Sequence, residues 1–450
     1  MQILGKMVKY MLLEFGVSNY KSFKDRMLFS MVPAPKQKGL DYSILTEVIN
    51  KKTFKALCSS VVYGPNASGK SNIIGAMDTF KKIVLRGNIR NNPDSAYPNQ
   101  AACMLELIPN LSLQQVEPVW FSIKFINDGL LVEYELSLDL GRFLEQNYRR
   151  RILSEILKIN GSSVFVRTDK IEIGSLKTIE MFIGDLILKN AESAKDLAFA
   201  NLNNEELFLT NGFKNIFSSS LVSKVVDWFE KKFTVIFRAD AMHMAPKFID
   251  HDSGIVVDNY LSKVAKEFGI NSNALGFAKD GEKGDASLYS IFSTKRNTQA
   301  IPAEIFESYG TVRFINTFPL LVKVLTEGGC LVVDEFDASL HPMLLMNIIN
   351  FFHNDEDNIN KAQLIFNTHN PIFLNANLYR RDEIKFIERD ESTHLSNLYS
   401  LSDFSTVGTG GVRKNTDYMK NYFIDRYGAI KNVDIGNILN QLLQKNKDNK

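Results

Sequence analysis

The spacing of apolar residues changes along this chain, and each change predicts a different kind of element. Residues 11–23 (Met-Leu-Leu-Glu-Phe-Gly-Val-Ser-Asn-Tyr-Lys-Ser-Phe) alternate as a first strand, and Lys24 to Phe29 reads as a second. Ser60 to Tyr63 is a β-branched apolar run, as expected of a strand buried in a parallel sheet. It breaks into Gly64-Pro65-Asn66-Ala67-Ser68-Gly69-Lys70-Ser71, and Ile73, Ile74 and Met77 then set a helical period over about residues 71–85. Residues 86–100 are turn-rich. From Pro118 to Gly174 the period becomes two. Val119–Phe125 and Leu130–Leu138, joined through Asn127-Asp128-Gly129, predict a hairpin; Ile152–Ile159 and Ser163–Arg167 around Gly161 predict another.

Residues 175–235 turn mainly helical, most clearly at Ala191–Phe199 and Leu221–Phe229. Val256, Val257, Tyr260, Leu261, Val264 and Phe268 predict an amphipathic helix over 256–268, and 275–300 reads as a charged linker or hairpin. An α/β alternation then returns. Helices are expected at 312–326, 342–352 and near 371–377, with strands at 331–333, 363–367, 384–388 and 395–400. No heptads are sustained, which argues against a long coiled-coil arm. The class is α/β.

Composition narrows this only slightly. The 450 residues are 45% hydrophobic and 23% charged, an ordinary globular balance with room for two or three cores. A net charge of +2 gives no bulk attraction to nucleic acid. Cys58, Cys103 and Cys330 lack metal-binding spacing and read as reduced, buried thiols. No apolar run is long enough to span a bilayer and no signal-peptide pattern opens the chain, so a cytoplasmic protein without membrane contact is expected.

The chemistry concentrates at three strand ends. A strand, then Gly-x-x-x-x-Gly-Lys-Ser, then a helix is the context of a phosphate-binding loop. The glycines let backbone N–H groups face one anion, Lys70 reaches the terminal phosphates, and Ser71 is placed to hold Mg²⁺. Leu331-Val332-Val333-Asp334-Glu335 is a second apolar strand, ending in paired carboxylates suited to a metal (Asp334) and to an attacking water (Glu335). Leu364-Ile365-Phe366-Asn367-Thr368-His369 is a third, ending at a histidine placed to meet a γ-phosphate.

Gly64–Ser71, Asp334-Glu335 with Ser339-Leu340-His341-Pro342, and Thr368-His369 together resemble the ABC-type ATPase heads of the SMC, RecF and OLD group. Glu307-Ser308-Tyr309-Gly310-Thr311-Val312-Arg313 is similar to that group's signature motif, although it lacks the fuller Ser-Gly-Gly form of transporters. The opening Asn19-Tyr20-Lys21-Ser22-Phe23, with Arg380-Arg381-Asp382-Glu383-Ile384 and Arg426-Tyr427-Gly428, resembles a bacterial subfamily of stand-alone AAA-labelled, OLD-like ATPases. Many of those occur in phage-defence or abortive-infection operons beside a small effector. The motifs cover 11–85 and 305–430; the middle of the chain matches only in layout.

The resemblance implies an ABC-type head divided into 1–117 with the phosphate loop, a β-rich lobe 118–174, a mainly helical insertion 175–304, a second head portion 305–430 and a tail 431–450. It implies ATP and Mg²⁺ as cofactors. Gly64, Pro65, Asn66, Ala67, Ser68, Gly69, Lys70, Ser71 and Asn72 would cradle the nucleotide, and Ser71 with Asp334 would hold the metal. Glu335 would be the base and His369 the γ-phosphate sensor, with Lys70 also catalytic. Ser308, Gly310 and Thr311 would act in trans across an ATP-bound homodimer, and Asp337 to His341 would line its seam. The output would go to a separately encoded nuclease or toxin.

Two alternatives stay open at this stage. One is a DNA-binding repair head using Arg149-Arg150-Arg151 and Lys231-Lys232; the other is a nuclease in its own right. The group's glutamine loop has only weak counterparts in Gln100, Gln114 and Gln115.

Overall fold

The computed structural model describes residues 10–91, 104–237 and 256–431, together with residue 436. Excepted within those spans are 36, 38, 114, 144, 146, 147, 258, 268, 269, 271, 281–284, 296, 339, 407–410, 414 and 415.

β1 (Tyr10–Ser18) and β2 (Met27–Ser30) pair antiparallel, and β3 (Ile44–Ile49) and β4 (Lys52–Leu57) form a separate hairpin. The first strand stops at Ser18 because Asn19 and Lys21 take positive φ, 51° and 48°, and turn the chain. β5 (Ser59–Tyr63) is buried at every residue and runs through the phosphate-loop sequence into α1 (Lys70–Arg86). β6 (Val119–Asn127), β7 (Leu130–Asp139), β8 (Arg151–Ile159), β9 (Ser162–Arg167) and β10 (Ile171–Ile173) follow as a meander. They join β1 and β2 in a seven-stranded antiparallel sheet, order β10-β9-β8-β7-β6-β1-β2.

α2 (Ala191–Ala200) and α3 (Ser219–Asp227) then precede the short strand β11 (Phe233–Ile236). β12 (Val256–Val257), α4 (Asn259–Glu267), β13 (Ala274–Asp280), β14 (Asp285–Ser293) and β15 (Thr298–Pro302) build a small lobe with a four-stranded antiparallel sheet. The last part holds α5 (Tyr309–Glu327), β16 (Cys330–Val333), α6 (Pro342–His353), β17 (Gln363–Asn367), β18 (Ile384–Arg389), β19 (Ser396–Ser400) and α7 (Tyr418–Phe423). A second sheet runs β11-β16-β17-β5-β18-β19, parallel throughout except for β19. Cys58 and Cys330 are buried free thiols, whereas Cys103 lies outside the described residues. No described helix is long and apolar enough to cross a membrane.

The middle of the chain departs from expectation. Val256 and Val257 do not start a helix; they pair with Phe277 and Gly276 as β12, and α4 begins only at Asn259. Two adjacent β-branched residues lose side-chain freedom in a helix and fit a pleated surface better. The stretch 275–300 is sheet rather than linker, with Leu275 and Phe277, then Leu288 and Ser290, buried at a period of two. The expectation of a mainly helical 175–304 therefore fails in its second half. The helix near 371–377 shrinks to a single turn, Pro371–Phe373, since the Asn375 side chain accepts from the Asn377 N–H at 2.9 Å and turns the chain.

Gln363, fully buried at the start of β17, stitches the two large sheets together. Its Oε1 accepts from Leu12 N–H at 2.6 Å, and its Nε2 donates to the carbonyls of Leu12 at 3.1 Å and Leu57 at 2.9 Å. Leu12 lies at a register shift in β1, where the ladder to β6 is interrupted. Replacing Gln363 with methionine keeps the volume and strands three buried main-chain groups, at an expected cost of about 3 kcal/mol. Urea denaturation of the variant checks this, and a midpoint equal to wild type would refute the stitch.

Candidate active site

In the parallel sheet, Cys330 pairs with Gln363 and Ser59 with Leu364, so β16, β17 and β5 end side by side. Their three following segments converge there.

After β5 the chain curls through Gly64 to Gly69. Gly69 has φ of +110°, and a Cβ on it would lie 2.6 Å from Ser396 Oγ and 2.8 Å from Ser22 Oγ, so only glycine fits. A Cβ on Gly64 would collide with the Ile387 carbonyl. Ala67 takes φ of 62°, with its carbonyl held by Arg389 Nη1 at 3.2 Å. Ser396 Oγ donates to the Ser68 carbonyl at 2.5 Å, and Asn72 Nδ2 donates to Ser22 Oγ at 2.8 Å. The loop is thus shaped by the opening strand's turn and by β18 and β19.

Gly69 caps α1 with no side-chain acceptor; the Asn72 N–H turns back to the Gly69 carbonyl at 3.0 Å, which leaves the Lys70 and Ser71 N–H groups at the helix start for an anion. Asn66 and Ala67 are exposed at the rim, and the buried Ser68 Oγ finds no partner among the described residues. Lys70 is buried, and its Nζ donates to the carbonyls of Gly64 at 2.7 Å and Pro65 at 2.9 Å, 3.4 Å from His369 Nδ1. Burial pushes its amine down to about 8, against the upward pull of Glu335, Asp334 and Asp337.

β16 delivers Asp334, buried, and Glu335, exposed. The Asp334 carboxylate accepts from Asn367 Nδ2 at 2.6 Å and from the Ser71 hydroxyl. Burial raises its pKa above the usual carboxylate value, and those two hydrogen bonds oppose the rise. The adjacent Ser71 and Asp334 oxygens are a hard donor pair of the kind Mg²⁺ takes. Glu335 adopts φ of 49°, unusual for a side chain of its size. Its N–H donates to Asn367 Oδ1, and Arg313 Nη2 donates to the carbonyls of Asp334 at 3.1 Å and Glu335 at 2.8 Å.

β17 delivers His369, exposed beside Lys70, with its pKa lowered first by burial and then by the Lys70 charge. A neutral imidazole at pH 7 follows. Thr368 Oγ1 donates to Asp337 Oδ2 at 2.6 Å and ties this turn to the one after β16. His341 caps α6 through Nδ1, 3.3 Å from Met343 N; Ser339 lies outside the described residues.

Ser308 stands apart. It caps α5, its Oγ accepting from Thr311 N–H at 3.1 Å, with Ser308 and Tyr309 exposed and Gly310 buried. No hydrogen bond among the described residues joins Ser308, Gly310 or Thr311 to Gly64–Ser71. Ser22, Arg313 and Asn367 lie within motifs that the sequence reading quoted without giving them a role, whereas Arg389 and Ser396 are contributors it did not single out.

Gln100 and Gln114 lie outside the described residues, and Gln115 lines a surface cavity with Asn19 and Arg142. On the side away from β17, β16 is bordered by β11, whose Ile236 carbonyl accepts from Asp334 N–H at 2.9 Å. Residues 238–255, which follow Phe237, lie outside the described ones.

The family model described as "AAA domain, putative AbiEii toxin, Type IV TA system" matches residues 59–375. No curated protein matches the sequence. Among solved structures, the SMC head domain from Thermotoga maritima is 14% identical with a TM-score of 0.33, covering 86% of this chain and 98% of that one. An SMC head bound to the C-winged helix domain of ScpA is 12% identical with a TM-score of 0.37, covering 86% and 97%. The recombination mediator protein RecF with ATP is 11% identical with a TM-score of 0.34, covering 88% and 100%. The family match begins at the first residue of β5 and spans the strands that carry Lys70, Asp334 and His369, well over half of the chain. The chain belongs to this AAA-domain family, and it is an ATPase.

Proposed function

We propose that this protein is a Mg²⁺-dependent ATP-hydrolysing switch that works as an ATP-sandwiched homodimer and controls a separate effector. The observation that carries the reading is the convergence of Lys70, Asp334 with Ser71, and His369 at the ends of three adjacent parallel strands.

In this reading Gly64 to Asn72 cradle the triphosphate, with Lys70 moving from loop carbonyls to phosphate oxygens. Ser71 and Asp334 would hold Mg²⁺, which supplies charge neutralisation on the phosphates. Glu335, exposed at the mouth, orients and deprotonates water, while His369 donates to or senses the γ-phosphate. Ser308, Gly310 and Thr311 make no hydrogen bond to their own loop and open a 19-residue helix, which favours a role against a partner's ATP. Tyr309, 57% exposed, and Met343, 58% exposed, supply apolar surface near such a seam. The effector reading draws on the family description, whose wording is that of a toxin–antitoxin system.

A DNA-binding head has less behind it. Arg151 pairs with Asp139, Lys231 with Asp227 and Lys232 with Glu327, so much of the basic character of those clusters is neutralised within the chain.

Lys70→Ala is expected to abolish ATP binding. Glu335→Gln should still bind ATP yet lose hydrolysis by about 10²–10⁴-fold, measured by phosphate release. Wild-type turnover in Glu335→Gln would show the base assignment to be wrong.

Since Lys70 is held near 8 in the free protein and must be charged to bind triphosphate, affinity should be full below pH 8. Above it, affinity should fall by up to about tenfold per pH unit. Titration calorimetry between pH 7 and 9.5 reads this directly, and a flat profile would contradict it.

Light scattering of Glu335→Gln with ATP and Mg²⁺ should give a dimer that Ser308→Arg prevents. Incubated alone with plasmid and Mg²⁺ or Mn²⁺, the protein should leave the DNA intact; robust cleavage would overturn the switch reading in favour of a nuclease.

A further inference from the structure

Glu335 is the most constrained residue at the site, and none of its constraints comes from its own side chain. It sits at φ of 49°, where a β-carbon crowds the main chain. Its N–H is taken by Asn367 Oδ1. Its carbonyl accepts from Arg313 Nη2 at 2.8 Å and from Ala338 N–H at 3.0 Å. Asn367 spends its other end, Nδ2, on Asp334 Oδ1 at 2.6 Å, and Arg313 reaches the Asp334 carbonyl at 3.1 Å. One amide and one guanidinium thus grip both carboxylate-bearing residues, and they come from different elements.

Those elements matter. Asn367 is the last residue of β17, two residues before His369, and is fully buried within the sheet. Arg313 lies on α5, one turn beyond the Ser308 cap. A helix moves as a rigid body over so short a distance, so a displacement of its N-terminus is a displacement of Arg313. Asp337, on the far side of the turn, is held by Thr368 and feels the Arg313 charge as well.

We propose that Asn367 and Arg313 are the positioning residues of the hydrolytic step. Asn367 fixes Glu335 relative to the Asp334 carboxylate. Arg313 makes the aim of Glu335 depend on where the N-terminus of α5 sits. This rests on the dimer reading above, in which that N-terminus faces the ATP of a second copy. Occupation of one site then sets the base of the other, so the two ATPs are hydrolysed cooperatively. Neither residue touches nucleotide: Arg313 acts through the main chain of Asp334 and Glu335, and Asn367 through the Glu335 N–H and the Asp334 carboxylate.

The test compares Arg313→Ala, Arg313→Lys and Asn367→Ala with Glu335→Gln in the full chain. The measurements are the Kd for a fluorescent ATP analogue, and kcat, KM and Hill coefficient for ATP hydrolysis. A misaimed base predicts kcat lower by about ten- to a hundredfold in Arg313→Ala and Asn367→Ala, with Kd and KM within about threefold of wild type. The Hill coefficient should fall to 1 in Arg313→Ala, and Arg313→Lys should recover part of kcat, because an ammonium can still reach one carbonyl. Arg313→Ala with kcat within twofold of wild type, or with kcat and affinity falling together, would overturn the inference. Should Arg313→Ala not fold, Arg313→Met, of similar length and without the donor, is judged by the same criteria. An inactive Glu335→Gln beside a fully active Arg313→Ala removes only this inference; an active Glu335→Gln removes the base reading and this inference with it.

Discussion

The parallel register of β16, β17 and β5 is the constraint on which the rest depends. Lys70 and His369 are 299 positions apart in sequence, yet their side-chain nitrogens stand 3.4 Å apart. Only strands running the same way, side by side, put their following loops on one edge. Parallel pairing of this kind requires crossovers with other structure between the strands. Here the chain between β5 and β16 carries five strands of the seven-stranded sheet, helices, the strand β11 and the small β lobe.

Holding that edge ready for an anion is unfavourable in itself. Lys70 is buried next to loop carbonyls, and burial alone favours its neutral form. Ser68 Oγ is buried without a partner among the described residues. Ala67 and Glu335 both occupy left-handed backbone that a non-glycine residue adopts at a cost of roughly 1 kcal/mol or more. Such features persist where surrounding structure over-determines them, and the surroundings supply this: Arg389 and Ser396 on the loop, Asn367 and Arg313 on the carboxylate turn. A bound triphosphate would relieve the first of these, by favouring the charged form of Lys70.

The central strands that carry the site were legible in sequence because their polar residues follow directly on continuous apolar runs. Ser60 to Tyr63, Leu331 to Val333 and Leu364 to Phe366 leave no other reading than buried strand, and the functional residues are simply what comes next. The region 256–302 was not legible, because Val256, Val257, Tyr260 and Leu261 satisfy a helical spacing as readily as a strand followed by a helix. Tertiary pairing with Phe277 and Gly276 decides between them. Arg313 and Asn367 lay within quoted motifs, yet their role escaped for a different reason. They bond to main chain 22 and 32 positions away, and a partner that is a peptide group imposes no residue type or spacing to detect. β11 escaped likewise, since four residues of strand beside β16 carry little pattern of their own.

The amino edge of the same sheet explains why motion at the site should be directed rather than diffuse. His353, closing α6, lies with Nε2 2.8 Å from Ser59 Oγ at the start of β5 and 3.0 Å from Glu383 Oε1 just before β18. Ser59 Oγ donates to the same Glu383 oxygen at 2.9 Å, and Glu383 Oε2 accepts from the Arg380 N–H at 2.7 Å. Gln363 locks the start of β17 to β1 and β4. The far end of α6 and the amino ends of three central strands are therefore fixed by buried hydrogen bonds, which are expensive to break. The turn bearing Asp334 and Glu335 runs between β16, inside this braced sheet, and α6, anchored at His353. α5, which brings Arg313 to that turn, starts at an exposed Ser308, and Glu307 just before it accepts from Ser272 Oγ at 3.0 Å and Ser290 Oγ at 2.8 Å, so its N-terminus is tied to the small β lobe. A shift of that helix reaches the main chain of Asp334 and Glu335 through the guanidinium of Arg313.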